Sequence, residues 1–148
     1  MIMNLSNKTT SKFSLETAAD LDHLGEIIGF TEKTLERLGV PDDARGHLCL
    51  AVDEIVTNVA LYAYKGTRGK INVSFERMGS KLIVAIADSG IAFNPLQHPA
   101  PDTSLSIDQR KIGGLGIHLV RKMTDKMEYM RVGDENRLIL EKNIGGKK

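Results

Sequence analysis

Six consecutive apolar residues, Leu82-Ile83-Val84-Ala85-Ile86-Ala87, run directly into Asp88-Ser89-Gly90. The run is far short of the roughly 18 residues a membrane-spanning helix needs. Being apolar on both faces, it suits a central strand covered at least in part on both sides. A central strand commits the chain to a sheet with neighbours on either side and helices to cover it. Ile71, Val73 and Phe75 alternate with Asn72, Ser74 and Glu76, and Met78-Gly79-Ser80-Lys81 is the right size for a hairpin turn between the two strands. Residues 11–17 alternate as an edge strand would, and two closing strands, near Glu128–Val132 and Arg137–Lys142, turn at Gly133-Asp134-Glu135-Asn136.

The helices are read from a change of period. From Ala18, Leu21, Leu24, Ile27, Ile28, Leu35 and Leu38 recur at helical spacing until Gly39, with Pro41 close behind. A second helix opens in Pro41-Asp42-Asp43, where the acids suit the positive end of the dipole, and runs to about Tyr64 on an inner stripe of Leu48, Val52, Ile55 and Val59. A third opens at Gly113-Gly114-Leu115-Gly116 and packs through Leu115, Leu119, Val120 and Met123. Residues 91–112 hold three of the four prolines and no period, and a long irregular segment in a compact domain is more often functional than accidental. The order β-α-α-β-β-loop-α-β-β predicts an α+β fold: a two-layer α/β sandwich with a mixed, mostly antiparallel sheet and its helices on one face. One domain spans 1–148, with a core of about 11–144.

Composition narrows the function. Twenty Lys and Arg against 19 Asp and Glu give a net charge of +1, which argues against a chain built to coat nucleic acid or an anionic membrane. With no transmembrane run and no basic-then-apolar start, the expected location is cytoplasmic. Cys49 stands alone on a helix and reads as a small buried hydrophobe, and the four histidines lack metal-ligand spacing. Met123, Met127 and Met130 read as core packing.

Three stretches carry candidate chemistry. In the second helix Glu54, Asn58 and Tyr62 are four apart and line one side. An asparagine in mid-helix competes with backbone hydrogen bonds, yet its oxygen can ligate Mg²⁺ and a carboxylate one turn back can act as a base. Asp88 at a strand end can accept from an exocyclic amine, and Gly90 lets the backbone approach a flat ring. Gly113-Gly114-Leu115-Gly116 opens a helix whose amides can meet a phosphate, although the pattern is neither the Walker motif nor GxGxxG. Taken singly, these read first as a solvated helix flank, an ordinary Asp-Ser-Gly turn, and a hinge or tight helix–sheet contact.

Their order changes that. Glu-x-x-x-Asn on a helix, then strand-Asp-x-Gly, then a long loop and Gly-x-Gly opening a helix, resembles the Bergerat-type (histidine-kinase-like) ATP-binding fold over about Phe13 to Ile144. The sequence is most similar to the bacterial anti-sigma-factor serine/threonine kinase branch, through Glu54-Ile55-Val56-Thr57-Asn58, Tyr62-Ala63-Tyr64 and Gln109–Asp125. The resemblance implies ATP and Mg²⁺ as cofactors, with Asn58 as the Mg²⁺ ligand and Glu54 polarising the attacking hydroxyl. It implies Asp88 reading the adenine amine with Gly90 beneath the ring, and residues 91–112 as a lid whose Arg110 meets the terminal phosphates. Gly113, Gly114, Leu115 and Gly116 would hold the phosphate chain. The implied partners are a sigma factor and an anti-sigma-factor antagonist that accepts phosphate, with a homodimer through the Phe13–Leu15 edge and the first helix.

Three positions depart from relatives. Ala92 replaces the second glycine of Asp-x-Gly-x-Gly, Tyr62 stands where several relatives have histidine, and Ile139 stands where many have a threonine near the adenine. A non-catalytic module of the same fold that binds nucleotide or a partner, and a stand-alone histidine-kinase-like ATPase, are the alternative readings.

Overall fold

The computed structural model describes residues 10–64, 67–94 and 112–145. Its elements are β1 (Thr10–Ala18), a 3-10 turn (Leu21–His23), α1 (Leu24–Arg37), α2 (Asp42–Asn58), a π turn (Val59–Ala63), β2 (Lys70–Met78), β3 (Lys81–Asp88), α3 (Ile112–Met123), β4 (Lys126–Val132) and β5 (Glu135–Asn143). The fold is α+β, a five-stranded sheet in the order β1-β2-β3-β5-β4 with helices on one face. A mixed sheet was within the sequence expectation; every pairing is antiparallel. β3 is central, and its side chains are graded by face. Leu82, Val84 and Ile86 are buried beneath the helices, while Ile83, Ala85 and Ala87 are only half-covered. The doubly apolar run therefore reports position in the sheet more than two covered faces.

Register builds the core in rows across the sheet. Leu15, Val73, Ile86, Leu138 and Tyr129 form one row, and Phe13, Phe75, Val84, Leu140 and Met127 the next. α1 lays Ile27 and Leu35 on these rows, fully buried, with the Phe30 ring 5.9 Å from that of Phe75. α2 adds Leu48, Val52, Ile55 and Val56, and α3 adds Ile117 and Val120. α1 ends as the sequence predicts: Gly39 takes φ 76°, a conformation other residues adopt only at a cost, and Val40 N–H closes onto the Leu35 carbonyl. The first helical segment is interrupted, since Ala18 still belongs to β1 and only Leu24 begins the α-helix. Met127 packs on the core as expected, but Met130 faces outward and is exposed. No described helix is long and apolar enough to cross a membrane.

Candidate functional site

The site is organised by α2 and the π turn that ends it. Up to Asn58 the chain has α-helical spacing, which puts Glu54 and Asn58 one above the other. Beyond Asn58 the backbone widens to the i→i+5 pattern, a feature frequent at functional positions. Asn58 is 8% exposed and Ala63 is buried, whereas Tyr62 is swung outward to 47% exposure. Tyr62 is thus not part of the enclosed group.

Asn58 is the anomaly in the core. Its Oδ1 and Nδ2 are both buried, and among the described residues neither has a hydrogen-bond partner. An amide so placed costs about 1–3 kcal/mol. A cation on Oδ1 and a hydrogen-bonding ligand on Nδ2 would answer it, and the donor chemistry fits a hard oxygen-seeking ion such as Mg²⁺. One turn earlier Glu54 has its pKa raised, first by burial and second by the neighbouring Asp53 charge. Its carboxyl group lies against α3: a Cβ added at Gly116 would sit 3.2 Å from the Glu54 carboxyl carbon and closer still to Oε1. Gly116 is therefore the gap in α3 that admits the carboxylate. Gly113, Gly114 and Leu115 lie in the first turn of α3, as expected. Arg110 lies outside the described residues, as does most of the expected lid, 95–111.

The far end of the π turn reaches the turn after β3. Ala63 O accepts the Ile91 N–H at 2.9 Å. Gly90 packs so closely that a Cβ there would lie 2.6 Å from that of Ala63 and would overlap the Ala63 carbonyl. Asp88 is 7% exposed; its Oδ1 accepts the Gly90 N–H at 2.9 Å and Asn136 Nδ2 at 3.0 Å. Among the described residues both side-chain bonds converge on Oδ1, which leaves Oδ2 able to accept from another donor. Ala92 is exposed just past this turn.

Asn136 was missed by the sequence reading, which saw only a turn residue. It is 6% exposed and pairs directly opposite Asp88 in the β3–β5 register. Its amide nitrogen also donates to the Ile91 carbonyl at 2.8 Å, while its oxygen accepts from Tyr129 Oη at 2.6 Å and Arg131 Nη1 at 3.1 Å. Arg131 Nη1 also donates to the Gly90 carbonyl at 2.9 Å. The side chain beside Asp88 on β5 is consequently Asn136. Ile139, three residues on, pairs with Ala85 and points to the opposite face of the sheet, because side chains alternate. Its lack of a hydroxyl has no bearing on Asp88.

Elsewhere, the Cys49 thiol is pushed up in pKa mainly by burial, in keeping with a packing role. Among the described residues no cluster of three His, Cys, Asp or Glu side chains could hold a metal.

An antiparallel sheet covered by three helices, with a buried, unpartnered asparagine amide one turn from a glutamate on α2 and a buried aspartate at the end of the central strand, marks an α+β domain of defined class. Residues 17–142 match the histidine kinase-like ATPase domain family, and the chain belongs to it. Among curated proteins it is 28% identical over 140 residues to the serine/threonine-protein kinase BtrW of Bordetella bronchiseptica, covering 92% of this chain and 94% of that one. It is 29% identical over 133 residues to the serine-protein kinase RsbW of Bacillus thuringiensis, covering 87% of this chain and 82% of that one. The fold resembles the crystal structure of the RsbU and RsbW domains of Rv1364c from Mycobacterium tuberculosis, with TM-score 0.63, 13% identity, 90% of this chain covered and 32% of the other. It also resembles the histidine kinase AdeS of Acinetobacter baumannii, with TM-score 0.52, 15% identity, and 97% and 74% of the two chains covered.

Proposed function

We propose that this chain is an Mg-ATP-dependent protein serine/threonine kinase of the anti-sigma type. It transfers the γ-phosphate of ATP to a serine or threonine of a small regulator protein and sequesters a sigma factor, with the nucleotide state selecting the partner. The observation that carries the reading is the buried, unpartnered amide of Asn58 one turn from a glutamate with a raised pKa. Family membership and the kinase names of relatives that match most of their length support the same reading.

In this scheme Asn58 Oδ1 holds Mg²⁺, which when bound neutralises charge on the phosphates. Asp88 Oδ2 accepts the exocyclic amine of adenine, while Gly90 keeps the approach to the ring open. Free backbone amides in the first turn of α3, those of Ile112 to Gly114, lie at its positive end and hold the phosphate chain. Gly113 gives that turn room, and Arg110 closes on the terminal phosphates. Glu54 accepts the proton of the attacking hydroxyl, and its raised pKa matches it better to that task at neutral pH. Phosphoryl transfer needs mainly positioning and charge neutralisation, which is what these residues offer.

The test is a calorimetric titration with ATP and ADP, with and without Mg²⁺, followed by γ-phosphate transfer to a co-expressed regulator. Expected are Mg²⁺-dependent binding that Asn58→Ala removes, and transfer that Glu54→Ala lowers on the order of 10²–10⁴-fold while ATP still binds. Silence at millimolar nucleotide refutes the nucleotide reading. Transfer undiminished in Glu54→Ala refutes the base.

A further inference from the structure

The Tyr64 side chain joins two segments, Gly69–Lys70 and the turn after β3 at Ser89. Its hydroxyl donates to the Lys70 carbonyl at 2.6 Å and accepts the Ser89 N–H at 2.8 Å. Its ring lies against Gly69 so tightly that any Cβ at residue 69 would overlap it. Tyr64 directly follows the π turn, whose Ala63 carbonyl takes the Ile91 N–H. Ser89 and Ile91 are thus both anchored to the end of the π turn, one through a side chain and one through the backbone. The residues between and beside them, Asp88 and Gly90, are anchored from the other side by Asn136 and Arg131. Burial raises the Tyr64 pKa, so the hydroxyl stays protonated and both bonds persist at neutral pH.

From this geometry we infer that Tyr64 is a positioning residue for base recognition: by holding the Ser89 peptide, it fixes the Asp88 carboxylate in the orientation that presents Oδ2 to the nucleotide base. The inference rests on the nucleotide-binding reading above and deepens it by separating two ends of the site. Asn58 and the start of α3 answer to the phosphates and metal, whereas Tyr64 answers to the base alone. A residue needed only for packing would disturb both ends together.

The experiment compares wild type with Tyr64→Phe, which keeps the ring on Gly69 and removes only the hydroxyl. The probes are Mg-ATP, Mg-GTP and Mg-tripolyphosphate, which carries phosphates and no base. Loss of one hydrogen bond in the support of Asp88 is expected to weaken ATP about 3–10-fold and to lower the preference for ATP over GTP by a similar factor. Tripolyphosphate affinity should not change. Unaltered ATP affinity, or equal weakening of ATP and tripolyphosphate, overturns the inference. Wild type silent to ATP overturns the nucleotide reading and this inference with it, so the two failures are distinguishable. If Tyr64→Phe does not fold, amide exchange in wild type decides. A protected Ser89 N–H that slows further with ATP but not with tripolyphosphate supports the role, and an unprotected one overturns it.

Discussion

Replacing Asn58 with leucine should make the ligand-free protein more stable and remove its Mg²⁺-dependent nucleotide binding. Leucine has the same heavy-atom connectivity, with methyl groups where asparagine carries Oδ1 and Nδ2. Both of those atoms are buried without a partner among the described residues, in a side chain 8% exposed. The amide costs about 1–3 kcal/mol in that setting, and the substitution removes the cost while burying apolar surface in its place. Leucine is also the better helix former, by a few tenths of a kcal/mol. A gain of about 1–3 kcal/mol in a chain of 148 residues corresponds to a rise in Tm of roughly 3–10 °C. The assay is thermal unfolding without nucleotide or Mg²⁺, read by calorimetry and circular dichroism, beside an ATP titration of the same variant. A fall in Tm of similar size would show that Asn58 is satisfied within the fold and would refute the claim that its amide is kept for a ligand.

Other outcomes follow from the same geometry. Glu54 has a folded pKa above 4.5, so its ionisation weakens the fold as pH rises from about 4.5 through the raised value. In Glu54→Gln that decline should be absent from a Tm-against-pH profile, with little change below pH 4.5; an unchanged profile would contradict the raised pKa. Gly90→Ala drives a methyl group into the Ala63 backbone and should cost about 1–3 kcal/mol in urea unfolding. Gly116→Ala instead meets the mobile end of Glu54, so the fold should hold while phosphate transfer falls, and equal destabilisation by the two alanines would refute the distinction. Asn136→Leu strands Asp88, Tyr129 and Arg131; it should destabilise by about 1–3 kcal/mol and weaken ATP binding, and a neutral result would show that the network is redundant.

Much of the fold was legible because its signals are local. Alternation in Ile71–Phe75 and the helical stripe of Leu48, Val52 and Ile55 each follow from a repeat that neighbouring residues set by themselves. The turn residues and the order of elements then leave few ways to layer the sheet. Glu54, Asn58, Asp88 and the glycine-rich helix start were legible as candidates through their order, although each stretch alone has an ordinary structural explanation. The exposure of Tyr62 and the change from α to π spacing after Asn58 leave no local signal, because a helical period reads the same through both. That Asn136 and not Ile139 stands beside Asp88 was not legible, because a register between strands is fixed by pairing and not by either strand alone.

The sequence by itself determined the elements, in outline, and the residue types that could serve phosphate, metal and base. Only the tertiary structure decided which of them meet. Asn136 reaches Asp88 across 48 residues of chain, and Tyr64 reaches Ser89 across 25. The gap at Gly116 matters only because α3 packs its first turns against Glu54. Hydrogen bonds of this kind leave no periodic trace, since they depend on how strands register and helices dock. For that reason the residues that hold the candidate site in shape became visible only in the folded chain.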